Sequence, residues 1–243
     1  MQAREDRFTV KTYECRPDGQ IKLNALMQHM QEAAARHAEQ LGFGFGDLNE
    51  RNCFWVLVNL CAEIVRTPRW RDSVTIRTWP SGSTRMVASR QFIGEGPEGR
   101  ESFRAASEWM ILDKHSGRPR NLNRLDLDLP PAGPKALPGE LGRLQPAERY
   151  DMAYALRVPL SALDFNGHVN NTEYVRWALD GVYHKLGRSP EIRALQVTYL
   201  AEVFEGDEVE VLTSTDGDRC LHALVRRSGS VPETDVFLLQ AYY

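Results

Sequence analysis

The same order of elements occurs twice in this sequence, on either side of a stretch between Lys114 and Glu148 that holds Pro119, Pro130, Pro131, Pro134, Pro138 and Pro146. Proline cannot continue a helix or donate to a sheet ladder, so that stretch reads as a linker. Before it and after it come a strand-like run, a turn, one long helix ending in Leu-Gly, and several alternating strands. An internal duplication follows. Laying Leu41-Gly42 on Leu186-Gly187 sets the offset at 145 (186 minus 41) and places the helix Leu23–Leu41 over His168–Leu186. Ala62-Glu63 then falls opposite Ala201-Glu202, with the offset shortened to 139. The expected organisation is a domain over residues 1–113, a linker over 114–148 and a second domain over 149–243. A chain of 243 residues has room for two small domains, each with its own core.

In the second copy, Asn170 with Glu173 three residues on spells a capping box, and Gly187 followed by Pro190 marks a stop, so a helix is expected from about Asn171 to Leu186. Tyr174, Val175, Trp177, Ala178, Leu179, Gly181 and Val182 leave little of its surface polar. A sheet must wrap it. The first-copy helix carries Leu26, Met30, Ala33, His37 and Leu41 on one face, with Gln28, Gln31, Glu32 and Glu39 largely elsewhere. Runs rich in β-branched and aromatic residues follow each helix: Trp55–Val65, Ser73–Trp79, Met86–Gly94 and Glu101–Leu112, then Ala194–Phe204, Glu208–Thr213, Cys220–Arg226 and Val236–Tyr243. A helix followed by an antiparallel meander predicts an α+β fold rather than a doubly wound one.

Composition narrows the function classes. The start, Met1-Gln-Ala-Arg-Glu-Asp-Arg, is charged, and no stretch approaches the roughly eighteen apolar residues of a membrane span, so neither secretion nor a membrane is expected. Cys15, Cys53, Cys61 and Cys220 show no C-x-x-C spacing, which fits reduced thiols in a cytoplasm and offers no zinc framework. A formal charge of −3 argues against nucleic acid as a partner. Gly94-Glu-Gly-Pro-Glu-Gly99 spells G-x-G-x-x-G but lies between two strands and carries two carboxylates, so it reads as a hairpin turn. There is no G-x-S-x-G elbow. His29 and Glu32 share a helix face without a further ligand at suitable spacing, and no metal is assigned.

The segment Asp164-Phe-Asn-Gly-His-Val-Asn-Asn171 sets an acid, an amide and an imidazole at alternate positions just ahead of the helix. Asp164, Asn166 and His168 are expected to project together, and unpaired backbone N–H groups at the helix start offer a seat for a developing oxyanion. Asn170 and Asn171 read as capping residues. On the 145-residue offset the first copy has Gly19, Ile21 and Leu23 at the corresponding positions, so the chemistry belongs to one copy only.

Asp164-x-Asn-x-His-Val-Asn-Asn-x-x-Tyr-x-x-Trp177 resembles the signature of the fatty acyl-ACP thioesterases, tandem hotdog enzymes of plant plastids and bacteria. The likeness extends through Gly42–Pro80, with Trp55-Val and Pro68-Arg-Trp-Arg-Asp-Ser-Val-x-x-x-Thr-Trp79, and includes Ser107-x-Trp-Met-Ile-Leu112 and Thr198-Tyr-Leu-Ala-Glu202. It implies two tandem hotdog domains, each a long helix wrapped by an antiparallel sheet. It also implies hydrolysis of fatty acyl-ACP thioesters, with Asp164, Asn166 and His168 catalytic and Glu202 as the fourth member. Many plant relatives carry a cysteine after that glutamate; here the residue is Val203, so a cysteine nucleophile at this position is ruled out.

The expected mechanism has Glu202 activating a water, Asn166 and backbone N–H groups near His168 polarising the thioester carbonyl, Asp164 orienting its neighbours and His168 either positioning the water, the favoured role, or protonating the departing thiolate. Direct carboxylate attack to give an acyl-enzyme anhydride is the mechanistic rival. Rival functions are a hotdog acyl-CoA thioesterase, a hotdog dehydratase and a non-catalytic acyl-binding module. The partners expected are acyl carrier protein with its phosphopantetheine-linked acyl chain, and a second copy in a homodimer; no cofactor is implied. An acidic carrier needs a local basic area, for which Arg66, Arg69 and Arg71, together with Arg118, Arg120 and Arg124, are the candidates. The first copy, lacking the catalytic set, is assigned the acyl-chain tunnel, lined by Met30, Ala33 and His37.

Overall fold

The structure is a computed structural model that describes residues 3–139, 141–217, 219–229 and 232–243. It falls into two compact units, Met1–Leu141 and Gly142–Tyr243.

The first unit runs β1 (Arg4–Thr9), α1 (Leu23–Gln40), α2 (Phe45–Glu50), β2 (Cys53–Ile64), β3 (Ser73–Ser83), β4 (Ala88–Glu95) and β5 (Glu101–Asp113). Its strands pair antiparallel in the order β1-β3-β4-β5-β2. Apolar side chains recur along α1 at helical spacing, and Leu23, Leu26, Met27, Met30, Ala33, Ala34 and His37 are buried while Gln28, Glu32 and Arg36 are exposed. The second unit runs β6 (Asp151–Arg157), α3 (Asn171–Leu186), β7 (Ala194–Tyr199), β8 (Glu208–Asp216), β9 (Cys220–Ser228) and β10 (Thr234–Tyr242), paired antiparallel as β6-β8-β9-β10-β7. Helix α3 packs on β6, β8, β9 and β10. A Cβ at Gly181 would lie 2.8 Å from Val211 Cγ1, so only glycine lets helix and sheet approach this closely. Each unit is thus the long helix in an antiparallel wrap that the hotdog expectation describes. Among the described residues no helix is long and apolar enough to cross a membrane.

Two expectations change. Strand β7 stops at Tyr199 rather than continuing to Phe204, because the N–H groups of Leu200 and Ala201 both turn to the Val236 carbonyl (2.9 and 3.3 Å) and the chain leaves the sheet. The proline-rich segment is also more than a spacer. Leu122 and Leu125 join a core with Leu48, Cys53 and Ile111; Ala136 and Leu137 are buried; and Trp79 Nε1 donates to the Pro134 carbonyl at 2.8 Å. Its first part is a strap on the first unit.

The register of the duplication also changes. Helix α1 starts at Leu23 and α3 at Asn171, an offset of 148 (171 minus 23), three more than at the Leu-Gly ends, because α1 has 18 residues to the 16 of α3 and stops one residue before its Leu-Gly, whereas α3 runs to Leu186. The backbone bonds repeat at the larger offset: Arg16 N–H to Gln20 C=O (2.8 Å) matches Asp164 N–H to His168 C=O (2.8 Å), and Gly19 N–H to Arg16 C=O (2.9 Å) matches Gly167 N–H to Asp164 C=O (3.0 Å). The counterparts of Asp164, Asn166 and His168 are therefore Arg16, Asp18 and Gln20, not Gly19, Ile21 and Leu23. Beyond the helices the offset is 135, since Val65 and Arg66 donate to the Ser102 carbonyl as Leu200 and Ala201 do to Val236. Thr67, not Glu63, stands where Glu202 stands.

Candidate active site

The segment ahead of α3 is a tight turn rather than an extended strand. An isolated bridge pairs Leu163 with Val169, and Gly167 takes a φ of 79°, which a Cβ-bearing residue adopts at a cost. The Asp164 carboxylate turns inward: its Oδ1 accepts from the N–H groups of Asn166 (2.8 Å) and His168 (3.4 Å). Asp164 is therefore the organiser of the turn. The backbone donors expected to hold an oxyanion near His168 are the ones Asp164 occupies, which leaves the Asn166 side chain, exposed and with its amide uncommitted among the described residues. Asn170 caps α3 by accepting from Thr172 N–H at 3.0 Å, but Glu173 pairs with Arg176 instead of closing a capping box. Gly187, at φ 62°, ends the helix as expected.

Glu202 reaches the turn through Val203. Val169 N–H donates to the Val203 carbonyl (3.2 Å), and Val203 N–H donates to Tyr174 Oη (3.1 Å). The residue is pinned on both sides and fully buried. Its neighbour Glu202 then sets Oε1 3.3 Å from His168 Nδ1, with the two side chains 40% and 27% exposed, enough for a substrate to reach both. Phe204 brings its ring edge-on to the imidazole, centroids 5.4 Å apart. The structure thus brings His168 and Glu202 together, holds Asp164 behind them in the turn and leaves Asn166 at the rim. Sequence reasoning missed Tyr174 and Phe204; a tyrosine at helical spacing carries no sign that its hydroxyl meets a backbone N–H 29 residues further along the chain.

In the first unit the same turn is built differently. Arg16 Nη2 lies 2.9 Å from Asp18 Oδ2 and also donates to Gln20 Oε1, so the polar set is closed on itself. No imidazole and no carboxylate at the Glu202 position occur there.

Met30, Ala33 and His37 are all buried on α1. The face they share is not wholly apolar, because Arg90 Nη1 approaches His37 Nδ1 at 3.1 Å and donates to Thr78 Oγ1 at 3.3 Å. Burial draws the Arg90 guanidinium down to about 10. The candidate docking arginines differ in freedom. Arg66 pairs with Asp72, Arg69 donates to the Asp18 carbonyl, and Arg120 pairs with Asp113. Arg71 lies over the exposed Trp70 ring, and Arg118 and Arg124 are exposed. His29 faces Glu14 (2.8 Å) rather than Glu32, which pairs with Arg36.

A tandem hotdog chain with an Asp/Asn/His/Glu set in its second copy alone is the class that fold and site define. A family model described as the acyl-ACP thioesterase N-terminal domain matches residues 2–124, and one described as the C-terminal domain matches residues 146–234. The chain belongs to the acyl-ACP thioesterase family. It is 26% identical over 236 residues to the chloroplastic oleoyl-acyl carrier protein thioesterase 1 of Arabidopsis thaliana, covering 88% of this chain and 64% of that protein. It is 27% identical over 231 residues to the chloroplastic palmitoyl-acyl carrier protein thioesterase of Gossypium hirsutum, covering 89% and 56%. The chain thus spans less than two thirds of either relative. Among solved structures, an acyl-ACP thioesterase from Bacteroides thetaiotaomicron superposes with a TM-score of 0.82 at 24% identity, covering 99% of this chain and 97% of that one. The 12:0-ACP thioesterase from Umbellularia californica gives 0.81 at 23%, covering 99% and 96%. At these identities the two structures speak to the fold.

Proposed function

We propose that this chain hydrolyses fatty acyl thioesters of acyl carrier protein, releasing the free fatty acid and the carrier's thiol. The observation that carries the reading is the half-exposed pair of His168 Nδ1 and Glu202 Oε1, 3.3 Å apart at the rim of the turn organised by Asp164. Glu202 takes a proton from a water held beside it and His168, and the water oxygen bonds to the thioester carbon. The Asn166 amide donates to the oxygen that gains charge. The C–S bond then breaks, the thiolate of a thiol of pKa near 8.5 leaves with little assistance, and the proton held by Glu202 passes to that sulfur or to solvent, which restores the base. Membership of the acyl-ACP thioesterase family supports the carrier as donor, as do the names of the plant relatives. A homodimer and a cytoplasmic setting belong to the same proposal, and sedimentation of the purified chain and cell fractionation check them. The function is tested by comparing turnover of one acyl chain on carrier protein and on coenzyme A. Faster release from the carrier is expected. Equal or faster release from coenzyme A would move the chain to the acyl-CoA class, and no thiol release from either would leave a binding module.

A further inference from the structure

We propose that Tyr174 is a positioning residue that sets Glu202 against His168 through the backbone of Val203; the assignment rests on the hydrolytic reading of this site. Val203 N–H belongs to the rigid peptide unit whose other end is the Glu202 carbonyl, so fixing the direction of that N–H fixes how the Glu202 Cα is oriented. Val203 is fully buried, and no water can replace the bond from its N–H to Tyr174 Oη at 3.1 Å. The phenol is itself fixed. Its ring packs against Trp177, Tyr199 and Phe237 at 5.5, 5.7 and 5.6 Å between centroids, and Tyr199 Oη donates to the Asn171 carbonyl (2.8 Å), tying the start of α3 to the end of β7. Burial, with Glu202 adding to it, holds the phenol well above the ordinary tyrosine range. It stays neutral, and acts through Val203 rather than on substrate.

The first unit supplies an internal comparison. There Ile21 N–H donates to the Pro68 carbonyl (2.8 Å) as Val169 N–H does to Val203, so Pro68 occupies the Val203 position. Leu26 occupies that of Tyr174 at the 148-residue offset, and Thr67 that of Glu202. Proline has no N–H and leucine no acceptor. The copy without the carboxylate lacks both halves of the bond that would aim it.

Tyr174→Phe deletes the hydroxyl and keeps the ring. Its kcat on acyl-ACP is expected to fall at least about tenfold, with KM within about twofold. In a Glu202→Gln background the same substitution should cost less than about twofold, because the group it aims is already gone. An equal fold-loss in both backgrounds, or wild-type kcat in Tyr174→Phe, overturns the proposal. A second readout does not need turnover: the His168 ring ¹⁵N resonances of Tyr174→Phe should move toward those of Glu202→Gln. Unmoved resonances also overturn it, whereas a wild-type chain that hydrolyses nothing counts against the hydrolytic reading and leaves the resonances to decide. Val203→Pro deletes the same bond from the donor side and carries the same expectations where Tyr174→Phe does not fold.

Discussion

At the scale of single residues, the site separates a carboxylate that shapes backbone from one that meets the imidazole. Asp164 Oδ1 accepts from two N–H groups of its own turn, whereas Glu202 Oε1 lies beside His168 Nδ1. Asparagine at 164 keeps an oxygen that can accept both bonds, and alanine keeps none. Asp164→Asn should therefore lose less than about tenfold in turnover while Asp164→Ala, Asn166→Ala, His168→Ala and Glu202→Gln each lose about a hundredfold or more. Steady-state rates on acyl-ACP check this. Equal losses in Asp164→Asn and Asp164→Ala would mean that the charge at 164, not the turn, matters. Thr67→Ala in the first unit should leave the rate within about twofold. The identity of the turn residues was legible in the sequence, since acid, amide and imidazole crowd ahead of a helix start. Their division of labour was not, because alternate spacing suggests an extended segment, while the glycine at 167 folds it into a turn that directs Asp164 inward.

At the scale of elements, helix α3 was legible at both ends because Asn170 and Gly187 supply local start and stop chemistry. The register of the duplication was not. Leu-Gly marks both helix C-termini, but α1 begins with Lys22, which provides no side-chain cap, and its extra residues lie at that unmarked end. Glu202 was hidden for a related reason, lying where β7 has already left the sheet, so β-propensity drew the strand past it. Helix α1 carries the proposal for the acyl chain. Each buried methylene contributes about 0.8 kcal/mol, so a pocket can rank chains that differ by several carbons without separating neighbours sharply. Ala33, 1% exposed on the inner face of α1, is where added bulk would be felt. Ala33→Phe is expected to shift preference toward shorter acyl chains, read as relative kcat/KM over a series of acyl-ACPs, with thermal melting to confirm folding. A folded variant with an unchanged profile would remove Ala33 from the chain-binding surface.

At the scale of the whole molecule, a duplicated architecture keeps its backbone bonds while only the second copy keeps the imidazole and the carboxylate. The formal charge of −3 means that an acidic carrier must be met locally. Of the six candidate arginines, Arg69, Arg71, Arg118 and Arg124 are exposed without an ion-pair partner among the described residues; Arg69 is held by the Asp18 carbonyl, and Arg71 stands beside exposed Trp70. Arg71→Glu combined with Arg124→Glu should raise KM for acyl-ACP in a manner that weakens with added salt, and spare a small acyl thioester. Equal effects on both substrates would speak against docking there. The central claim, that water is delivered to a carrier-bound thioester at His168 and Glu202, is met most directly by a single turnover of acyl-ACP in ¹⁸O-labelled water. One labelled oxygen in the released fatty acid and none in the protein is the predicted result. Label in the carboxyl group of Glu202 or Asp164 would contradict it, as would the absence of fatty acid.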